Sequence, residues 1–143
     1  MPDIYHDFPI AVEPRRVFEA ISAPSGLDQW WTKTSGGSAQ EGAEYTLGFG
    51  PEYDWKARVS LCERDKKFEL EMTRADADWT GTRVGFELVA TDSGTQLRFR
   101  HVGWPTPNEH FRTSTFCWAM YLRVLKRYLE FGERVAYERR LDV

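Results

Sequence analysis

Apolar and polar residues alternate with two distinct periods along this chain, and the two periods mark out its elements. Ile4, His6, Phe8, Ile10 and Val12 sit two apart, the spacing of a strand with one buried face. Glu13-Pro14 stops that run, and proline suits the first turn of a helix, where its missing N–H costs nothing. Val17, Phe18 and Ile21 follow at helical spacing until Pro24 and Gly26. A second short helix is expected to carry Leu27, Trp30 and Trp31. The composition of Thr34-Ser35-Gly36-Gly37-Ser38 reads as a loop. Period two then returns in five runs: Tyr45 to Phe49, Trp55 to Leu61, Phe68 to Met72, Thr82 to Leu88, and Thr95 to His101. Short connections join these runs, which favours antiparallel pairing.

The last element changes period. From about Glu109 to about Tyr137 there is no proline, and Gly132 is the only glycine. Arg123, Lys126, Arg127 and Glu130 recur at helical spacing and are expected to form a solvated stripe. Cys117, Trp118, Tyr121, Leu122, Val124, Leu125, Tyr128, Leu129 and Phe131 fill a wide apolar arc. A helix with so broad an apolar face has to be wrapped by something curved, and the sheet is the available partner. The expectation is one α+β domain over 1–143. A six-stranded curved antiparallel sheet wraps a long C-terminal helix, with two short helices after the first strand.

The chain has 143 residues, enough for one core without a disulfide or metal. Cys62 and Cys117 lack metal-ligand spacing and read as packing residues. Acidic and basic residues are interspersed and the net charge is −3, which argues against nucleic acid as a partner. The polar start lacks an apolar leader, and no apolar run is long enough to span a membrane, so a cytoplasmic location is expected. His6, His101 and His110 are far apart in the chain, and there is no phosphate-binding glycine motif, so no cofactor and no metal are expected. The aromatic content changes the picture most: six Trp, six Tyr and nine Phe. Such residues either fill a core or line a ligand pocket.

The order of elements and several motifs resemble the START-like helix-grip superfamily. The motifs are Val17-Phe18-Glu19-Ala20-Ile21-Ser22, Gly26-Leu27 with Trp30-Trp31-Thr32, Trp79-Thr80-Gly81-Thr82, Gly94-Thr95 with Leu97-Arg98-Phe99, and His101-Val102-Gly103-Trp104. Within that superfamily the chain is similar to bacterial proteins grouped with the C-terminal domain of the activator of the heat-shock-protein-90 ATPase. The resemblance implies a sheet that grips the long helix, and a cavity between them for a lipid, polyketide or aromatic metabolite. Some superfamily members are cyclases or hydrolases. The chaperone-activating members carry a further N-terminal domain, so a chaperone partner is disfavoured here, while a homodimer is compatible.

Residues expected to line the interior are Trp30, Trp31, Trp55, Met72, Phe86, Phe99, His101, Trp104, Trp118, Tyr121 and Leu125. His101 shares a strand face with Leu97 and Phe99, so it serves either as a base or hydrogen-bond anchor or as a structural histidine. An enzyme of the cyclase or dehydratase kind would pair His101 with a tyrosine such as Tyr121. Of Trp30 and Trp31, one is expected in the packing and one at the cavity mouth, with Trp104 bordering the same end. Trp55, Trp118, Tyr121 and Tyr128 can be either core or ligand contacts. An interaction module would need an apolar outer sheet face, yet Lys56, Arg58, Arg83, Glu87, Arg98 and Arg100 are expected to face solvent.

Overall fold

The computed structural model describes residues 2–51 and 54–142. Seven strands form one antiparallel sheet: β1 (Ile4–Ile10), β2 (Thr34–Gly36), β3 (Glu44–Gly48), β4 (Asp54–Glu63), β5 (Lys67–Arg74), β6 (Arg83–Thr91) and β7 (Gly94–Val102). Their order across the sheet is β1-β7-β6-β5-β4-β3-β2, so β1 and β2 are the edges. Helices α1 (Pro14–Ser22) and α2 (Pro24–Trp30) follow β1, and α3 (Glu109–Phe131) lies across the sheet. A short 3-10 turn, Tyr137–Asp142, ends the described chain.

The sheet has one strand more than the pattern predicts. Thr34–Gly36 is a strand rather than a loop, and pairs Thr34 with Gly48, Ser35 with Leu47 and Gly36 with Thr46. Backbone bonds hold it, so it carries no apolar alternation. Gly48 makes the approach possible, since a Cβ there would stand 2.6 Å from Thr34 Oγ1. Curvature has a local cause in β4, whose pairing with β5 slips in register at Lys56/Ala57 and at Val59/Leu61.

The inward faces follow the expected phase. Thr95, Leu97, Phe99 and His101 of β7 are all buried, as are Phe68, Leu70 and Met72 of β5 and Val84, Phe86 and Leu88 of β6. Trp118, Leu122, Leu125 and Leu129 form the face of α3 that meets them. Asn108 caps α3 by accepting the Phe111 N–H, and Gly132 ends it in the left-handed region at φ 66°. The helix therefore stops short of Tyr137.

The predicted solvated stripe is only partly solvated. Lys126 donates to the Pro9 carbonyl at 2.5 Å and to Glu130 at 2.8 Å, and Glu130 accepts the Ala11 N–H at 2.8 Å. These two side chains tie the helix to the end of edge strand β1, and the bond from Lys126 foremost, with that from the Ala11 N–H, holds the Glu130 carboxyl below its ordinary range. Phe131, placed on the apolar arc by its spacing, is exposed beneath Arg127. On the outer sheet face Arg100 does not reach into solvent either. It lies over Gly85 and pairs with Glu69 at 2.8 Å, while Ser60 holds the other Glu69 oxygen.

Candidate functional site

The interior between sheet and α3 is built of rings. Five of them close on themselves: Trp55 to Trp79 at 5.1 Å, Trp79 to Trp118 at 5.8 Å, Trp118 to Trp31 at 5.1 Å, Trp31 to Phe49 at 5.6 Å, and Phe49 back to Trp55 at 5.1 Å between centroids. Trp31, Trp79 and Trp118 are buried, while Phe49 and Trp55 are half-buried and form the outer edge of the cage. Phe99 packs on Trp118 at 4.6 Å and Phe86 on Phe99 at 5.4 Å, continuing the rings into the sheet.

His101 sits beside this cage with no exposed surface. Its Nδ1 accepts the Trp118 indole N–H at 3.0 Å. Its Nε2 must then carry the proton, and it faces Thr82 Oγ1 at 2.8 Å. Thr82 in turn donates to the Trp79 carbonyl at 2.5 Å. The relay runs from Trp118 through His101 and Thr82 to the backbone, and it uses both ring nitrogens. Burial, with a smaller push from His110, lowers the His101 pKa to about 3, so the ring is neutral at ordinary pH. A neutral imidazole whose lone pair is already engaged is poorly placed to act as a base. Its bonded partners are Thr82 and Trp118 rather than Tyr121. Burial pushes the Tyr121 phenol up to about 12.

Trp79 of the cage and one further ring, Trp104, flank His101. Trp79 lies 4.4 Å from His101 and Trp104 lies 5.0 Å from it, with 6.1 Å between the two indoles. Among the described residues, their Nε1–H groups are the buried side-chain polar atoms that find no acceptor. Both rings stand on connections, Trp79 between β5 and β6 and Trp104 between β7 and α3. Asp78 ties one connection to the other by accepting from His110 Nδ1 at 3.1 Å and Asn108 Nδ2 at 3.3 Å. The bond from His110, then that from Asn108, holds the Asp78 carboxyl below its usual range.

The opposite end, around α2, is fully bonded. Trp30 donates to the Ala20 carbonyl at 2.8 Å and Tyr45 to the Ser22 carbonyl at 2.7 Å. Arg140 reaches in from the C-terminal turn and donates to the carbonyls of Asp28, Thr32 and Val135. Neither Trp30 nor Trp31 stands at a mouth, since both are buried; the half-buried edge belongs to Phe49 and Trp55. Trp104 stands away from Trp31, beyond Trp79 in the file of rings.

The predicted residues thus gather around one interior. Met72, Phe86, Phe99, Trp118 and Leu125 are buried there, and Tyr121 touches Trp118 at 6.2 Å. Pattern reading left Trp79, Phe49 and Thr82 out of the site. The Trp79-Thr80-Gly81-Thr82 motif held the signal for two of them. Four surface clefts of about 300 to 470 Å³ lie elsewhere, and none is lined by a ring of the cage. The rings of the cage pack against one another in this conformation. Among the described residues no cluster of three His, Cys, Asp or Glu side chains could hold a metal ion, and both cysteines are free thiols. No helix among them is long and apolar enough to cross a membrane.

The model of the family described as Activator of Hsp90 ATPase homolog 1-like protein matches residues 11–130. The chain belongs to this family. Solved structures agree on the fold. The Aha1 dimer from Colwellia psychrerythraea is 25% identical with a TM-score of 0.84, over 93% of this chain and 99% of that one. A Bacillus halodurans protein is 24% identical with a TM-score of 0.76, over 91% and 98%. CalU16 from Micromonospora echinospora is 17% identical with a TM-score of 0.71, over 98% and 80%. No curated protein matches the sequence. This family member keeps the helix-grip arrangement and fills its interior with rings.

Proposed function

We propose that this protein binds a small, flat, largely apolar molecule between the sheet and α3, and that 1–143 acts as one binding domain. The closed cage of five rings carries the reading, because two of its members, Phe49 and Trp55, meet solvent while the others line the interior. Rings present large rigid apolar area, and a guest entering at the Phe49–Trp55 edge exchanges ring–ring contact for ring–ligand contact. The guest therefore needs a local opening, after which the apolar walls supply the affinity.

Binding without reaction is favoured over a cyclase-type activity by the His101 relay, in which both ring nitrogens are occupied. An interaction-module role is disfavoured by the outer sheet face, where Arg58–Glu71, Glu87–Arg98 and Glu69–Arg100 form cross-strand ion pairs. Pairing with a second copy is supported by the Colwellia relative, which is described as a dimer. A cytoplasmic location fits the same reading.

Titration with the neutral fluorescent probe N-phenyl-1-naphthylamine tests the proposal. Saturable binding to the folded protein is expected, with quenching of tryptophan emission, and Phe49→Ala should change the affinity. A probe that binds only in urea concentrations that loosen the fold would contradict it.

A further inference from the structure

The Trp79 and Trp104 indoles are unusual in a buried region that otherwise bonds its polar atoms. Trp30 and Trp118 each find an acceptor, whereas the N–H groups of Trp79 and Trp104 find none among the described residues, although the two rings are 8% and 0% exposed. A buried donor left unmatched is destabilising, so a native protein that keeps two of them in adjacent rings calls for an explanation. Indole nitrogen can only donate. The neighbouring groups do not supply the missing acceptor: His101 Nδ1 is taken by Trp118, and the proton on Nε2 faces Thr82.

We propose that Trp79 and Trp104 form the polar subsite of the ring-lined interior, and that the molecule bound there carries an uncharged oxygen acceptor of the carbonyl kind on a flat apolar frame. This rests on the reading that the interior admits a small apolar molecule. The two indoles are neighbours, 6.1 Å apart between ring centres, and leave donors and no acceptor in one place, which suits an oxygen acceptor. A charged acceptor fits poorly, because a buried anion needs a countercharge. Of the two imidazoles against Trp104, His101 at 5.0 Å has both nitrogens engaged and His110 at 5.5 Å is engaged by Asp78. An amine or hydroxyl proton would meet a second donor and gain nothing.

The placement of both rings supplies the motion that entry needs. Each stands on a connection with a glycine in the left-handed region, Gly81 two residues after Trp79 at φ 88° and Gly103 just before Trp104 at φ 87°. Space around the Gly81 Cα is open. Asp78 latches the 75–82 connection to the start of α3 through His110 and Asn108. That latch is one hold among several, since the Trp79 carbonyl also accepts from the Thr82 N–H and hydroxyl, and Gly81 and Thr82 bond Met72. Moving Trp79 breaks these local bonds and leaves the Lys67–Glu71 pairing with β6 intact, so the subsite opens by a loop displacement rather than by unfolding.

A matched pair of probes tests this. 9-Fluorenone and fluorene share one flat frame and differ by a carbonyl. The wild-type protein should bind fluorenone about tenfold more tightly, the value of one hydrogen bond made in a buried site. Trp104→Phe and Trp79→Phe keep a ring and remove the donor, so each should lower the fluorenone-to-fluorene preference toward unity, a ratio that cancels loss of ring contact common to both probes. Equal binding of both probes by the wild type overturns this inference and leaves the apolar-binding reading standing. Failure of both probes to bind overturns the two together. Should either variant fold poorly, the indole N–H signals of the wild type decide. The difference between the shifts caused by fluorenone and by fluorene should be concentrated at Trp79 and Trp104, with Trp30 unmoved. No such difference would mean that ordered water alone meets these donors, which overturns the inference.

Discussion

Four of the five buried tryptophans fall into two pairs that differ in what carries them. Trp30 and Trp118 stand on helices, and each indole donates to an acceptor fixed by the fold, the Ala20 carbonyl and His101 Nδ1. Trp79 and Trp104 stand on connections, and neither indole finds an acceptor among the described residues. The helix-borne pair closes the interior against α2 and α3. The loop-borne pair closes the end of the sheet where β6 begins and β7 finishes, and Trp118 meets it there, stacking on Trp79 at 5.8 Å and bonding His101. One pair is thus bonded within the helix and sheet framework, and the other holds polar capacity on connections. Rigidity and unsatisfied polarity divide between the two carriers as expected of a site built to open through its connections.

Acid should break the bonded region first, through His101. Its pKa is near 3 in the folded state and about 6.5 when unfolded, so the unfolded chain binds the extra proton as pH falls below 6.5. Stability contributed by the neutral ring is complete above that pH, declines through the interval, and levels off below about 3. Between pH 6.5 and 4.5 the loss from this residue should be about 2–3 kcal/mol. Urea denaturation across that interval measures it, and His101→Gln should flatten the slope. An equally steep slope in the variant would place the acid sensitivity elsewhere.

Removing one indole N–H from each pair sharpens the contrast. Trp118→Phe strips the donor from His101 Nδ1 and leaves a buried acceptor unmatched, which should cost about 1–3 kcal/mol. Trp104→Phe removes a donor that had no acceptor, so the loss should stay below about 1 kcal/mol, the residue of a slightly smaller ring. Equal losses in chemical denaturation would mean that the two pairs are equivalent and that Trp104 is bonded after all.

Periodicity made the inner face of the molecule legible. Thr95, Leu97, Phe99 and His101 alternate without interruption, and all four are buried. Trp118, Leu122, Leu125 and Leu129 repeat at helical spacing and meet the sheet. What the pattern missed is held by other forces. Thr34–Gly36 pairs through backbone groups that leave no mark on side-chain polarity. Lys126 and Glu130 read as solvated because their spacing says nothing of the edge strand end that they grip. Trp79 lies on a turn, where neither period applies, so its entry into the cage had to come from the fold. The His101 side chain could be aimed from strand phase, but its bonds to Thr82 and Trp118 join three elements and were invisible to it.

Hydrogen exchange of the indole protons tests the central difference most directly. The Nε1–H signals of Trp30 and Trp118 should exchange only with global unfolding, because their acceptors lie in the helix and sheet framework. Those of Trp79 and Trp104 should exchange faster, by a local opening that urea barely affects. Exchange of all four at the global rate, or slower exchange of the loop-borne pair, would contradict an interior that opens at that end.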